Sequence, residues 1–222
     1  MQYTVKRSSR KSVCIAIERD RSIVVQAPLN LSDEEIDKLV DKKRDLILKK
    51  INNPHKYPEN PVPKEFVSGE GLLYLGKIYR LEIVDTLEKD IEFDTTFRIS
   101  KQNQAKANEI FKKWYRQQAL SIIAPIADKF AQQLGVHFNE CKVSQMKYRW
   151  GSCTPSNNLN FNWRIIKAPI NVIDYIIVHE LAHLREPNHT PEFWNIVSIQ
   201  VPHYEQAKEW LKQNGSQLEI DF

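Results

Sequence analysis

Residues 169–186 read PINVIDYIIVHELAHLRE, and His179, Glu180 and His183 within this stretch form the pattern HExxH. The β-branched residues from Ile173 to Val178 would by themselves suit a strand. We nevertheless predict a helix, because residues four apart on a helix share one face and lie about 6 Å apart along the axis. Both imidazoles can then bind one ion. A helix that is apolar on almost all sides is buried in the core, and burial would hold the two rings in place.

A third ligand is expected, because catalytic zinc usually takes three protein side chains and keeps one position open. We predict that this ligand is His189, six residues after His183. Pro187 and Asn188 are residues that end a helix and turn the chain back. Residues 190–192, Thr-Pro-Glu, have the form of an N-cap with proline in the first helical turn. A following helix would therefore anchor the turn that carries His189.

A carboxylate from a later helix is the alternative third ligand, with candidates at Glu192, Glu205 and Glu209. We favour His189, since three of the six histidines lie within eleven residues and unligated histidines in an apolar segment would be costly. Glu180, next to the first ligand, can reach the open position and take a proton from water, whose pKa zinc lowers to about 7. The pattern thus predicts a Zn²⁺ site with three histidine ligands and Glu180 as the general base.

The residues before position 100 mostly carry strand patterns. Two strands, at 13–18 and 23–27, are predicted to form a hairpin. Ser32 and Glu35 have the spacing of a capping box, which predicts a helix over 33–51. Prolines then interrupt regular structure, and β-branched and aromatic residues indicate further strands up to residue 99.

The remaining residues alternate between helix and strand patterns. A long helix is predicted from Asn108 to a C-terminal cap at Gly135, with a kink or break at Pro125. Two strands follow, predicted near 141–148 and 159–166 and joined by a loop.

Composition excludes several classes of protein. No apolar run approaches the roughly eighteen residues needed to cross a bilayer, and the first residues lack the apolar stretch of a signal peptide, so we expect no membrane partner and a cytoplasmic location. The three cysteines are widely spaced and are expected to be reduced thiols. The net charge of +4 is too small to indicate nucleic-acid binding by itself. Basic residues nevertheless gather at two places: Arg7, Arg10 and Lys11, and Lys147, Arg149, Arg164 and Lys167.

Several motifs occur together along the chain. They are RWGSC at 149–153, Asn160 with Phe161, HELAHL at 179–184, and NHT at 188–190 followed by Phe193 and Trp194. This combination resembles the YgjP-like metal-dependent hydrolases, also called the DUF45 or M48-like family, and is more distantly similar to SprT-like zinc proteases. The resemblance implies an α+β fold whose zincin-like catalytic half, residues 101–222, packs the HExxH helix on a small sheet after a β-rich lobe at 1–100. It also implies that RWGSC lies near the metal.

Three substrates remain open. Zincin-like sites usually cleave peptides, and the strand at 159–163 would then be the edge strand that aligns the substrate. The concentration of basic residues near the site instead favours phosphate oxygens, as in a nucleoside triphosphate pyrophosphatase. The SprT-like similarity suggests a protease that acts at nucleic acid. The candidate substrate-binding residues are Arg149, Trp150, Asn160 and Arg164.

Overall fold

The computed structural model describes residues 1–18, 21–52, 64–146 and 149–219. The four prolines expected to form a semi-rigid connection, and Lys147 of the second basic cluster, lie outside these residues. The described residues form seven α-helices and three small sheets, so the predicted α+β class is confirmed. The chain divides into two compact units, Met1–Pro61 and Val62–Phe222.

The smaller unit contains a three-stranded sheet and two helices. Its elements are β1 (Thr4–Ser8), β2 (Cys14–Ile17), β3 (Ile23–Pro28), α1 (Asp33–Lys42) and α2 (Arg44–Ile51). β3 lies in the centre, parallel to β1 and antiparallel to β2, as the predicted hairpin requires. The capping box is present, with Ser32 accepting from the backbone of Glu35 and donating its own backbone N–H to the Glu35 side chain. The predicted single helix is divided at Lys43, whose backbone is not helical.

The larger unit begins with a four-stranded sheet. Its strands are β4 (Gly71–Tyr74), β5 (Lys77–Val84), β6 (Glu92–Phe93) and β7 (Phe97–Ser100), in the order β4-β5-β7-β6. The sequence interpretation placed a domain boundary at residue 100, whereas this sheet belongs to the larger unit. The physical reason is packing: the rings of Tyr74 and Phe97 lie 6.0 and 6.1 Å from that of Tyr115, on the helix that follows.

That helix, α4 (Ala107–Leu134), follows the short α3 (Lys101–Gln104) and crosses the core of the unit. Its fully buried side chains recur every four residues, at Phe111, Tyr115, Ala119, Ile123 and Ala127. Pro125 stands inside α4 without dividing it, so of the predicted kink or break the break is absent. The burial of this stripe outweighs the one hydrogen bond that proline removes. Gly135 ends the helix in the left-handed conformation, as predicted.

A third sheet, with strand order β8-β10-β9, and three helices complete the unit. The elements are β8 (Glu140–Ser144), β9 (Gly151–Cys153), β10 (Asn158–Asn162), a 3-10 helix (Trp163–Lys167), α5 (Ile170–Ala182), α6 (Pro191–Gln200) and α7 (Tyr204–Glu219). Two predictions are corrected here. The expected loop contains β9, and the second expected strand ends at Asn162, whose side chain caps the 3-10 helix by accepting from the backbone N–H of Arg164 at 3.2 Å.

The position of β10 corrects a third expectation. Residues 159–163 were expected to form a free edge for a peptide, but β10 pairs with β8 on one side and β9 on the other. The sheet edge beside α5 is formed by β9. None of the helices in the described ranges is long and apolar enough to cross a membrane.

Candidate metal centre

The HExxH motif lies at the end of α5, which is helical as predicted. From Val172 onward its apolar residues are buried against α4, α6, α7 and β9, so tertiary packing overrides their β propensity. His179 is partly buried, and Glu180 is buried with 7% of its surface exposed. α5 ends at Ala182, and His183 is its C-cap. The core therefore fixes the orientation of the whole motif.

The structure brings the three predicted ligands together. One nitrogen from each of His179, His183 and His189 lies within 4.8 Å of the others. The Nε2 atoms of His179 and His189 are 3.1 Å apart. In a search of the described residues, no glutamate joins this group, so none of the three alternative carboxylates contributes there.

His189 reaches the site because of a tight turn after α5. A carboxylate oxygen of Glu186 accepts from the backbone N–H of Asn188 at 3.0 Å, and the carbonyl of Asn188 accepts from Thr190 N–H at 2.8 Å. The hydroxyl of Thr190 then caps α6 by accepting from the backbone N–H of Phe193 at 3.3 Å. The predicted turn, N-cap and Pro191 start of α6 are all present.

Phe193 is the common packing partner of the three imidazoles, a role the sequence did not indicate. Its fully buried ring lies 5.0 Å from that of His179, 4.7 Å from that of His183 and 4.7 Å from that of His189, between centroids. One aromatic side chain thus packs against all three imidazole rings. The only sequence signal was its place in the motif that follows His189.

The electrostatics of the site favour the neutral form of two of the imidazoles. Burial lowers the pKa of His179 to about 3, with further lowering from His183, His189 and Lys208. Burial also lowers the pKa of His183. Neutral imidazole is the form that binds a metal ion.

The donor set fits a zinc ion. Nδ1 of His183 lies 3.3 Å from the carbonyl oxygen of Glu186, so a neutral ring donates there and turns Nε2 toward the other histidines. Tetrahedral zinc with Zn–N bonds of about 2.0–2.1 Å separates its nitrogen ligands by roughly 3.3 Å, close to the spacing of the two Nε2 atoms. Nδ1 of His179 is buried and has no hydrogen-bond partner among the described residues. Its ring is held by aromatic packing.

Glu180 lies against β9. Burial raises the pKa of its carboxyl to about 7, while the Cys153 backbone N–H, which donates to it, and the charge of Arg149 act in the opposite direction. The carboxyl group also fills the space that a side chain at Gly151 would need. β9 therefore adjoins the candidate base directly, in agreement with the implied position of the RWGSC segment.

The four candidate substrate-binding residues lie in different environments. Arg149 is exposed and acts electrostatically on Glu180. Trp150 is partly buried against Gly215 of α7. Asn160, in the central strand, accepts from the Ser144 hydroxyl at 2.9 Å. Arg164 is fully buried, with its guanidinium 4.6 Å from the Trp163 ring centroid, a position that argues against contact with substrate.

A family model described as YgjP-like, metallopeptidase domain, matches residues 11–214. The chain belongs to the YgjP-like family. It is therefore a metal-dependent hydrolase of the metallopeptidase type. A comparison with curated proteins found no match to the chain.

Two solved structures are similar to part of this YgjP-like chain. Both are metallopeptidase zymogens: abylysin from Pyrococcus abyssi and jannalysin from Methanocaldococcus jannaschii. Abylysin is 20% identical, with a TM-score of 0.39, over 46% of this chain and 99% of its own. Jannalysin is 21% identical, with a TM-score of 0.35, over 39% of this chain and 93% of its own.

Proposed function

We propose that this chain is a zinc-dependent peptidase in which His179, His183 and His189 hold Zn²⁺ and Glu180 is the general base. The observation that carries the proposal is the convergence of three imidazole nitrogens within 4.8 Å, with the buried Glu180 adjacent in the same helical turn. A structural zinc site is normally closed by four protein ligands, whereas three leave a position for water or substrate.

The metal and Glu180 have different roles in the proposed hydrolysis. When bound, zinc supplies a Lewis acid that activates water and polarises the scissile carbonyl. Glu180 takes the proton from the attacking water and passes it to the leaving nitrogen, a role that a carboxyl pKa near neutrality suits.

An edge strand beside the base supports a peptide substrate. β9 pairs with β10 alone among the described strands, so its outer edge faces away from the sheet. Extended peptides bind such edges through backbone hydrogen bonds. β9, in place of the expected 159–163 segment, is the strand that we propose aligns the substrate.

The first prediction tests the base. Glu180→Gln should retain about one zinc per chain and lose about 10²–10⁴ in kcat on an unstructured protein substrate, because the amide cannot accept the proton. Zinc is measured by elemental analysis and turnover by release of new amino termini. Glu192→Gln, an exposed glutamate on α6, is the control and should change neither quantity. Full activity of Glu180→Gln would remove Glu180 from this role.

Phosphoanhydride hydrolysis is the second candidate, and the proximity of Arg149 to Glu180 favours it. The wider basic cluster does not add to this, because Arg164 and Lys167 are buried. Offering the same zinc-loaded protein nucleoside triphosphates and following pyrophosphate release separates the two substrates. Action at nucleic acid remains a prediction, which requires that added DNA increases peptide cleavage at low salt.

A further inference from the structure

Gly151 meets the candidate base at distances that leave no room for a side chain. A Cβ atom built on Gly151 would lie 2.6 Å from Cγ of Glu180, 2.7 Å from its Oε1 and 2.9 Å from its Cδ. Heavy atoms in van der Waals contact are about 3.5–4.0 Å apart. Because Cγ and Cδ are involved as well as the tip, Glu180 could not accommodate a Cβ by a small movement of its end alone.

The backbone at Gly151 does not itself require glycine. Gly151 is in strand β9 and is absent from the glycines with positive φ, which among the described residues are Gly69, Gly76 and Gly135. In a strand interior, glycine is less stable than alanine. The missing side chain is therefore explained by its neighbour, Glu180, and not by the local conformation.

A second group on the same strand acts on the same carboxylate. The backbone N–H of Cys153, two residues along β9, donates to Glu180. Successive residues of a strand point to opposite faces of the sheet, so residues 151 and 153 share an orientation. Both can therefore face the same carboxylate. The strand offers space at one position and a hydrogen-bond donor at the other.

We propose that β9 supports the side chain of the base, and that Gly151 is a positioning residue that sets the orientation of the Glu180 carboxylate for proton transfer. This inference rests on the proposed function, because it presumes that Glu180 is the base. Gly151 acts through Glu180, because its missing side chain leaves the space that the carboxylate fills.

The first measurement is steady-state kinetics of Gly151→Ala. A displacement of about 1 Å in a catalytic group can reduce turnover about 100-fold. We expect such a loss in kcat with KM and zinc content unchanged, because α5 and Phe193 still hold the histidines. Lys142→Ala, an exposed residue on β8 at the opposite edge of the same sheet, is the control and should retain wild-type kcat. Wild-type kcat in Gly151→Ala would overturn the inference.

The second measurement needs no activity. In the wild-type background, Gly151→Ala should lower Tm by about 2–4 °C or more, the shift that roughly 1 kcal/mol of strain gives in a domain of this size. In a Glu180→Ala background the space is empty, and Gly151→Ala should leave Tm unchanged or raise it. An equal decrease in both backgrounds would show that the strand, and not Glu180, requires glycine, and would overturn the inference.

The two measurements also distinguish this inference from the proposed function. Full turnover in Glu180→Gln would defeat the proposed function whatever Gly151 does. Loss of turnover in Glu180→Gln together with wild-type kcat in Gly151→Ala would defeat only the positioning role. In a Glu180→Asp background the side chain that carries the carboxylate is one methylene shorter. If Gly151→Ala causes no further loss of kcat relative to Glu180→Asp alone, the positioning role is supported.

Discussion

A row of aromatic rings runs from the candidate metal site toward α7, where a lysine lies over one of the rings. The ring of Trp194 is stacked on that of His189 at 5.7 Å and on that of Tyr204 at 5.3 Å, between centroids. Nζ of Lys208 lies 4.6 Å from the centroid of the Trp194 ring, and this exposed cation contributes to the lowered pKa of His179. A positive charge thus lies beside the candidate metal site, where it would attract an acidic group of a bound peptide.

Lys208→Met should therefore weaken binding of acidic peptides. For a peptide with glutamate near the cleaved bond we expect KM to increase about fivefold, the upper end for an exposed ion pair. The glutamine version of the same peptide should be unaffected. Lys212→Met, one turn further along α7, is the control, because Lys212 pairs with Glu209. Equal effects of Lys208→Met on both peptides would contradict the prediction.

At the scale of single residues, the sequence indicated the candidate ligands and the proposed base but not the residues that support them. His179, Glu180 and His183 share one helix, so their spacing along the chain determines their geometry. Phe193 and Gly151 act across elements, and nothing in one sequence shows that a phenylalanine contacts three histidines or that a glycine accommodates a carboxylate. The substrate contact predicted for Arg164 overlooked burial, which composition does not reveal.

At the scale of elements, the apolar stripe predicted α4, and the HExxH motif predicted α5 against the β propensity of its residues. The errors came where tertiary contacts compete with local preference. Pro125 stays within α4 because Ile123 and Ala127 on either side of it are fully buried, and β9 is a three-residue strand that pairs with β10. Short elements of this kind carry too few residues for a periodic pattern to be visible.

Helix α5 also contains a half-buried carboxyl group, at Asp174. Burial raises the pKa of Asp174, and the charge of Lys129 on α4 opposes this. The native state thus binds the proton more tightly than the unfolded state, whose carboxyl pKa is about 3.9. Stability is lost as the pH rises from that value through the folded pKa, and no further change follows above it.

Asp174→Asn should remove this dependence. We expect a higher Tm than wild type at pH 7 and little gain at pH 3.5, where the wild-type carboxyl is mostly protonated in both states. Thermal unfolding followed by circular dichroism at the two pH values measures the difference. Asp45→Asn, in the smaller unit, serves as the comparison. A gain that is the same at both pH values would mean that charge at residue 174 is not its cause.

At the scale of the whole molecule, each unit has a hydrophobic core of its own. The smaller core contains Val25, Ala27, Ile36, Val40 and Ile47, and the larger one extends from Phe66 to Leu218. All residues of the candidate metal centre belong to the larger unit. This division differs from the boundary expected at residue 100, because strand patterns show where a sheet lies along the chain but not which helix it packs against.

The two boundaries make opposite predictions for shortened chains. A chain of residues 64–222 keeps the complete larger core, and we expect it to unfold cooperatively, to bind about one zinc and to retain most of the peptide turnover. A chain of residues 101–222 loses Leu72, Tyr74 and Phe97, and uncovering the Phe111 and Tyr115 face of α4 removes several large side chains from burial, at roughly 1.5–3 kcal/mol for each fully buried one. That loss is comparable to the 5–15 kcal/mol that stabilises a whole domain, so the shorter chain should not fold.

Circular dichroism, calorimetry and zinc analysis of both chains decide between the boundaries. A folded, zinc-binding 101–222 chain would restore the boundary expected from the sequence, and an unfolded 64–222 chain would show that the larger unit depends on the first sixty residues.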